Sequence, residues 1–147
     1  SHETMINAPA DNIWKEIIAI DDWEWNKWTR LKAERPEEGI KGQLKASYDG
    51  NNNWKQFDFT FGPVDESQYL LTWVGSIGPK GCIFYGYHTM QLEVVNDTET
   101  KLIHREEFGG LLPKLGLGLP YKKLDRNYLL MNEELKQCVE EKYNAGN

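Results

Sequence analysis

Three side chains in the second half of the chain are of the types that do acid–base chemistry: His88, His104 and Glu106. A histidine beside a glutamate can exchange a proton with a ligand carbonyl, which is the chemistry of a general acid and base. The same types can also bind a divalent metal. However, their even spacing would spread them along a sheet and no metal-type spacing accompanies them, so no metal site is predicted.

The segments around these residues predict a β-hairpin. Alternating residues flank a turn at Asp97, which places residues whose numbers sum to about 194 opposite each other. His88 then opposes Glu106, and His104 opposes Met90. Alternation puts all four on the inward face, together with Phe84, Leu102 and Phe108.

A buried ionised carboxylate is costly unless it is paired. We therefore expect His88 and Glu106 to face the interior and to contact each other directly or through one water. Three roles remain open for the pair. It is a polar pair that fixes the strand register, a group that orients a ligand, or an acid–base couple.

The elements that must position these residues alternate with a period of two, typical of strands with one buried face. The pattern covers residues 3–7, 40–48, 57–61, 69–73, 82–94 and 102–108. Turn-forming residues separate most of these segments, so consecutive strands are expected to pair antiparallel. A sheet with one apolar face needs another element of the chain to pack against that face.

Helical spacing marks three other segments. Pro9 suits the start of a first short helix, and residues 23–28 indicate a second short helix or turn. A longer helix is predicted from about Pro120 to Lys142, and it carries one apolar stripe: Leu124, Tyr128, Met131, Leu135 and Cys138. The predicted class is α+β: a single domain over residues 1–147, with a curved antiparallel sheet of six to seven strands wrapped around that helix and an apolar pocket between them.

Composition narrows the classes of function. The chain of 147 residues has a net charge of −6, which argues against a nucleic-acid-binding surface. No apolar run reaches the length of a membrane span, and no signal-peptide pattern opens the chain. The expected compartment is therefore the cytoplasm, and the expected state is a monomer or weak homodimer. Cys82 and Cys138 lack metal-type spacing and are expected to be free thiols that are buried on the core side.

The segment from Leu111 to Pro120 carries five leucines, which is too many for an idle solvated loop. It is interpreted as a lid over the pocket, as a lip that touches a membrane or partner, or as a plug folded back onto the core. Gly116-Leu117-Gly118 lacks the Lys-Ser/Thr that a phosphate-binding loop needs.

Several motifs, in order along the chain, resemble the START/Bet v 1-type superfamily, also called SRPBCC, and within it the polyketide cyclase/dehydrase-like proteins. The opening Ile6-Asn7-Ala8-Pro9-Ala10 followed by Ile13-Trp14 is similar to that family's I-x-A-P-A-x-x-V-W. Trp25-Asn26 and Trp28 are similar to its W-N-P-F, with Lys27 and Trp23 where relatives often have proline. The later matches are residues 71–75, 86–88, 104–112 and 131–136.

This resemblance implies a helix-grip fold with a cavity for a small hydrophobic or amphipathic ligand, and no cofactor. The expected ligand-binding residues are His88, His104, Glu106, Trp73, Phe59, Phe84, Met90, Phe108, Leu112, Tyr128 and Met131. Because the superfamily mixes functions, three hypotheses remain. The favoured one is a non-enzymatic carrier or sensor. The others are a cyclase/dehydrase-type enzyme using His88 and Glu106, and a protein-interaction module resembling a chaperone regulator with a filled core.

Overall fold

The computed structural model describes residues 1–116 and 120–146. The strands are β1 (His2–Ile6), β2 (Thr29–Ala33), β3 (Lys41–Ala46), β4 (Lys55–Asp65), β5 (Leu70–Ile77), β6 (Phe84–Asn96) and β7 (Glu99–Gly109). The α-helices are α1 (Ala10–Ile18), α2 (Leu111–Lys114) and α3 (Tyr121–Ala145). Short 3₁₀ segments follow α1, β4 and β5.

The seven strands form one curved antiparallel sheet in the order β1-β7-β6-β5-β4-β3-β2. Consecutive strands from β2 to β7 are neighbours, so the sheet is a meander that β1 closes at one edge. The apolar face packs on α3, where Met131 and Leu135 are fully buried with Trp73 and Met90. The predicted α+β helix-grip architecture is confirmed.

The sequence pattern did not reveal β2. This strand lies at the edge of the sheet and pairs only with β3 among the described strands. Thr29 and Leu31 are buried, while Arg30 and Lys32 point the other way. Two inward residues give too short an alternation to stand out from a loop.

The apolar stripe of α3 is largely as predicted. Leu124, Tyr128, Met131 and Leu135 are buried. The fifth member is different: Cys138 is half-buried and Val139 is buried instead. A helix of 3.6 residues per turn drifts against a fixed spacing of three and four, so the inward position shifts by one residue near the end.

The prediction for Cys82 was right about its chemistry and wrong about its place. Both cysteines are free thiols, but Cys82 is exposed. It follows the 3₁₀ turn Pro79–Gly81 and has helical dihedral angles, and β6 begins only at Phe84. The alternation of β6 therefore does not extend back to Cys82, and the two thiols are not paired in the core.

Among the helices of residues 1–116 and 120–146, none carries the long apolar run that crossing a bilayer requires.

Candidate functional site

An internal cavity of about 40 Å³ lies between the sheet and α3. Its wall is mostly apolar and comes from β2 to β7 and from the first two turns of α3. The lining residues are Thr29, Leu44, Ala46, Tyr48, Phe57, Trp73, Gly75, Ser76, Phe84, Gly86, His88, Phe108, Leu124 and Tyr128.

Two glycines border the cavity, and their lack of side chains provides part of its space. Gly75 of β5 and Gly86 of β6 are direct partners in the strand register, and both line the cavity. A β-carbon at Gly75 would meet its nearest atoms at 3.8 and 3.9 Å, which is ordinary contact. At Gly86 it would lie 3.2 Å from Phe108 and 3.3 Å from His88. The absence of side chains at this cross-strand pair therefore creates part of the cavity.

His88 is a buried polar residue of the wall. Its ring is buried and stacks on Trp73, with ring centres 5.0 Å apart and an angle of 15° between planes. Nε2 lies 3.4 Å from the Tyr128 hydroxyl, and Nδ1 has no hydrogen-bond partner among the described residues. Burial, followed by the nearby His104, lowers the pKa of His88 to about 3. The ring is therefore neutral at neutral pH.

Two residues of the wall have a buried ring nitrogen without a hydrogen-bond partner among the described residues, Trp73 at Nε1 and His88 at Nδ1. In the tautomer in which Nε2 accepts the Tyr128 hydroxyl proton, Nδ1 carries a hydrogen and lacks an acceptor. In the other tautomer Nδ1 is a free acceptor. Either way, this buried nitrogen of His88 remains to be satisfied, which costs free energy until a water or ligand supplies a partner.

His104 belongs to a separate buried pair. Its Nδ1 lies 3.0 Å from Oδ1 of Asn132 on α3, and both side chains are fully buried. Burial lowers the pKa of His104 to about 4, against a smaller opposing effect of the Asn132 hydrogen bond. His104 does not line the cavity. The pair ties β7 to the middle of α3.

Glu106 opposes His88 in the register, as predicted, and Met90 opposes His104. The Glu106 side chain is also directed inward, with 6% of it exposed. No direct hydrogen bond joins the two side chains among the described residues. Their contact through one water stays a prediction.

Glu106 instead reaches toward the edge strand and the start of α3. His2 Nε2 lies 2.9 Å from Asp125 Oδ1 and 3.9 Å from Glu106 Oε1. Burial raises the pKa of Glu106 to about 8, and a hydrogen bond to Asp125 adds to this effect. The same hydrogen bond lowers the pKa of Asp125. A proton is thus held between the two carboxyl groups near neutral pH.

The structure divides the predicted ligand-binding residues into three groups. His88, Trp73, Phe84, Phe108 and Tyr128 line the cavity. Phe59, Met90 and Met131 are buried in the core beyond its wall. His104, Glu106 and Leu112 lie elsewhere: in the Asn132 pair, beside Asp125, and half-buried on α2, respectively.

Sequence reasoning missed most of the wall on the β2–β4 side. Leu44, Ala46 and Tyr48 share the inward face of one alternating segment, so their orientation was visible. What the pattern could not show was that this end of the sheet faces the first turns of α3 at Leu124. The glycine pair carried a signal as well, because glycine inside a strand often marks a site of close approach or open space.

The leucine-rich segment begins with a short helix rather than a loop. The amide nitrogens of Leu111 and Leu112 donate to the carbonyl oxygens of Cys82 and Ile83. Leu111 and Leu115 are more than half exposed, and no residue of 110–116 lines the cavity. This part of the segment is therefore not a plug. Leu117 and Leu119 lie outside the described residues, so the lid interpretation of the whole segment stays a prediction.

No family model matches the chain, and no curated protein sequence matches it. Solved structures do match. A protein from Nitrosospira multiformis is 15% identical with a TM-score of 0.65, over 92% of each chain. The Zhui aromatase/cyclase from Streptomyces sp. R1128 is 12% identical with a TM-score of 0.64, over 97% of this chain and 91% of that one.

A third match is norcoclaurine synthase from Thalictrum flavum, solved in complex with dopamine and hydroxybenzaldehyde. It is 15% identical with a TM-score of 0.63, over 95% of this chain and 84% of that one. At these identities the matches establish a shared fold. The fold implied by the sequence resemblance is thereby confirmed.

Proposed function

We propose that this protein binds a small hydrophobic or amphipathic molecule in the cavity between the sheet and α3, as a carrier or sensor. The observation that carries the proposal is the mostly apolar wall whose residues include two unsatisfied buried nitrogens, Nδ1 of His88 and Nε1 of Trp73. Such a wall favours a ring or short chain, and a few polar groups fix its orientation.

The ligand class follows from the wall. Trp73, Phe84 and Phe108 offer aromatic surfaces, and the ring nitrogens of His88 and Trp73 offer hydrogen bonds. A small aromatic ring with one hydroxyl or carbonyl group satisfies both. A protein of the same fold has been solved with dopamine and hydroxybenzaldehyde, which are molecules of this class.

The size of the cavity sets a condition on binding. A volume of about 40 Å³ accommodates a few water molecules, whereas an engineered cavity that binds benzene measures roughly 150 Å³. The lining side chains must therefore withdraw to admit a ring. Tyr48, Phe57 and Phe108 are half-buried rather than buried, so these aromatic side chains of the wall have room to move.

The geometry gives less support to a cyclase- or dehydrase-type reaction that uses His88 and Glu106 together. The Glu106 carboxyl is turned toward Asp125 and does not line the cavity. An acid–base couple needs both groups within hydrogen-bond reach of the reacting atoms. Binding without a reaction is therefore the better-supported function.

Filling the cavity from Gly75 tests the proposal. Gly75→Val adds a side chain where a β-carbon fits without a clash, and valine suits a strand. The free energy of unfolding of the variant should be higher than that of the wild type by about 0.5–2 kcal/mol, because filling a cavity commonly stabilises a protein by this amount. The variant should therefore unfold at a higher denaturant concentration. Calorimetric titration with phenol should show binding to the wild-type protein and at least about tenfold weaker binding to the variant, because the ring would have to displace the new methyl groups.

Gly146→Ala is the matched control. It adds a methyl group at the end of α3 with ordinary contacts of 3.6 Å, and it should leave phenol binding unchanged. If wild type and Gly75→Val bind phenol equally, the cavity is not the binding site. If neither the wild type nor Gly75→Val binds any small aromatic molecule while Gly75→Val is the more stable protein, the core is closed. That result would favour the hypothesis of a protein-interaction module.

A further inference from the structure

We propose that His2, Glu106 and Asp125 form a binding site for a divalent transition-metal ion of the zinc type, separate from the cavity. The three residues come from the first strand, the last strand and the final helix. His2 is 104 residues from Glu106 and 123 residues from Asp125 along the chain, so the fold brings them together.

The distances suit one shared ion. One ligand atom from each of the three side chains lies within 4.8 Å of the other two. His2 Nε2 is 2.9 Å from Asp125 Oδ1 and 3.9 Å from Glu106 Oε1. Ligand atoms that surround a zinc ion at about 2.0–2.2 Å are separated by roughly 3–4 Å. Small side-chain rotations are enough to meet that geometry.

Glu106 supplies an independent sign that the site is made for a ligand. Its side chain is 6% exposed, and its Oε2 atom is buried without a hydrogen-bond partner among the described residues. A carboxylate oxygen in such a position is expensive unless something coordinates it. Binding of a metal ion by the Glu106 carboxylate would give its Oε2 atom a partner, and the same ion would also bind His2 and Asp125.

The two carboxyl groups lie close together, with a ligand atom of Glu106 and one of Asp125 within 4.8 Å of each other. Two ionised carboxylates at such a distance repel each other. A divalent cation between them can balance both negative charges. Metal ions bind such ligands in competition with protons, and binding therefore releases protons.

The donor set selects the kind of metal. One imidazole and two carboxylates suit zinc and its neighbours among the first-row metals, whereas calcium and magnesium prefer oxygen ligands alone. Three protein ligands leave a fourth tetrahedral position, which is the arrangement of open zinc sites. Asp125 is 55% exposed, so that position is accessible to water or to a small anion.

The local structure holds the ligands in place. β1 pairs with β7 so that His2 faces His104, and Glu106 lies two residues further along the same strand. Asp125 lies in the second turn of α3, three residues before Tyr128. Metal binding would therefore fasten the end of the edge strand to the helix that covers the cavity.

Zinc titration of the intact protein tests the site. After treatment with a chelator and its removal, calorimetry should show one zinc ion per chain. Cobalt(II) should give visible d–d absorption bands and should be displaced by zinc. Saturation with zinc should also raise the melting temperature, since a ligand that binds the folded state stabilises it.

Two variants separate this site from other modes of binding. Asp125→Asn changes a half-exposed residue, so the fold should be retained, and it should weaken zinc binding at least about tenfold, as should Glu106→Gln. Glu133→Gln removes an exposed carboxylate from the same helix and should have no effect.

Each other outcome overturns the proposal. Undiminished zinc affinity in both Asp125→Asn and Glu106→Gln would mean that the His2 imidazole binds metal without them. Equal weakening by Glu133→Gln would mean that zinc is attracted only by general surface charge. No cobalt spectrum and no zinc uptake by the wild-type protein would leave the two carboxyl groups as a proton-sharing pair.

Discussion

At the scale of single residues, neighbouring positions in one hairpin have different surroundings. His88, His104 and Glu106 share the inward face of β6 and β7, as the alternation predicted. Their partners nevertheless are three different residues of α3: Tyr128 for His88, Asn132 for His104, and Asp125 for Glu106. The alternation of odd and even positions along a strand determines the face of the sheet on which each side chain lies. The partner depends on how α3 crosses the sheet, which the strand pattern does not contain.

The buried, neutral His88 should make stability depend on pH. Its pKa in the folded protein is about 3, below the ordinary 6.5. The unfolded chain therefore takes up a proton below pH 6.5 that the folded chain resists. We expect the stabilisation by His88 to be complete above pH 6.5 and to fall by up to about 1.4 kcal/mol per pH unit as the pH drops toward 3.

Urea unfolding of the wild-type protein and of His88→Leu between pH 8 and pH 5 measures this contribution. The difference in unfolding free energy between the two proteins should be constant above pH 6.5 and should shift in favour of the variant below it. A difference that stays constant down to pH 5 would show that His88 is protonated in the folded protein.

The two thiols should react at different rates. Cys82 is exposed, whereas Cys138 is half-buried and burial raises the pKa of its thiol. Since the thiolate is the reactive form, a thiol reagent should label Cys82 first and Cys138 slowly in the native protein. Two thiols should react in denaturant without reductant. A count of zero there would mean that the cysteines are oxidised.

At the scale of elements, predictability followed the length and regularity of the pattern. The long alternation of β6 gave the hairpin register correctly, and the spacing in α3 gave four of its buried residues. The short edge strand β2 was missed because two buried residues do not define a period. The short helix α2 was also missed, since its first two residues are held by backbone hydrogen bonds to Cys82 and Ile83 rather than marked by a helical pattern.

The central role of α3 predicts a large cost for shortening its buried side chains. Leu135 is fully buried, so Leu135→Ala should lower the unfolding free energy by about 2–5 kcal/mol. Leu129 lies on the same helix and is 38% exposed, so Leu129→Ala should cost well under half as much. Denaturant unfolding of both variants measures the two costs. Equal losses would show that α3 does not pack by the face described.

At the scale of the whole molecule, the sheet and α3 enclose both a close-packed region and a small cavity. Packing is dense around Trp73, Met90 and Leu135, all fully buried. It opens where Gly75 faces Gly86. Sequence reasoning predicted the pocket from the fold resemblance, because the pattern shows which residues are inward but not how completely they fill the interior. That depends on side-chain volumes from seven strands and one helix together.

The most direct test of the proposed function is to locate a bound ligand. Amide ¹H–¹⁵N spectra of the protein should be recorded during titration with phenol. We predict saturable shifts at the amides of Gly75, Gly86 and Leu124, which border the cavity from two strands and from α3. Shifts confined to exposed apolar residues such as Leu111 and Leu115, or no saturable shifts at all, would contradict binding inside the cavity.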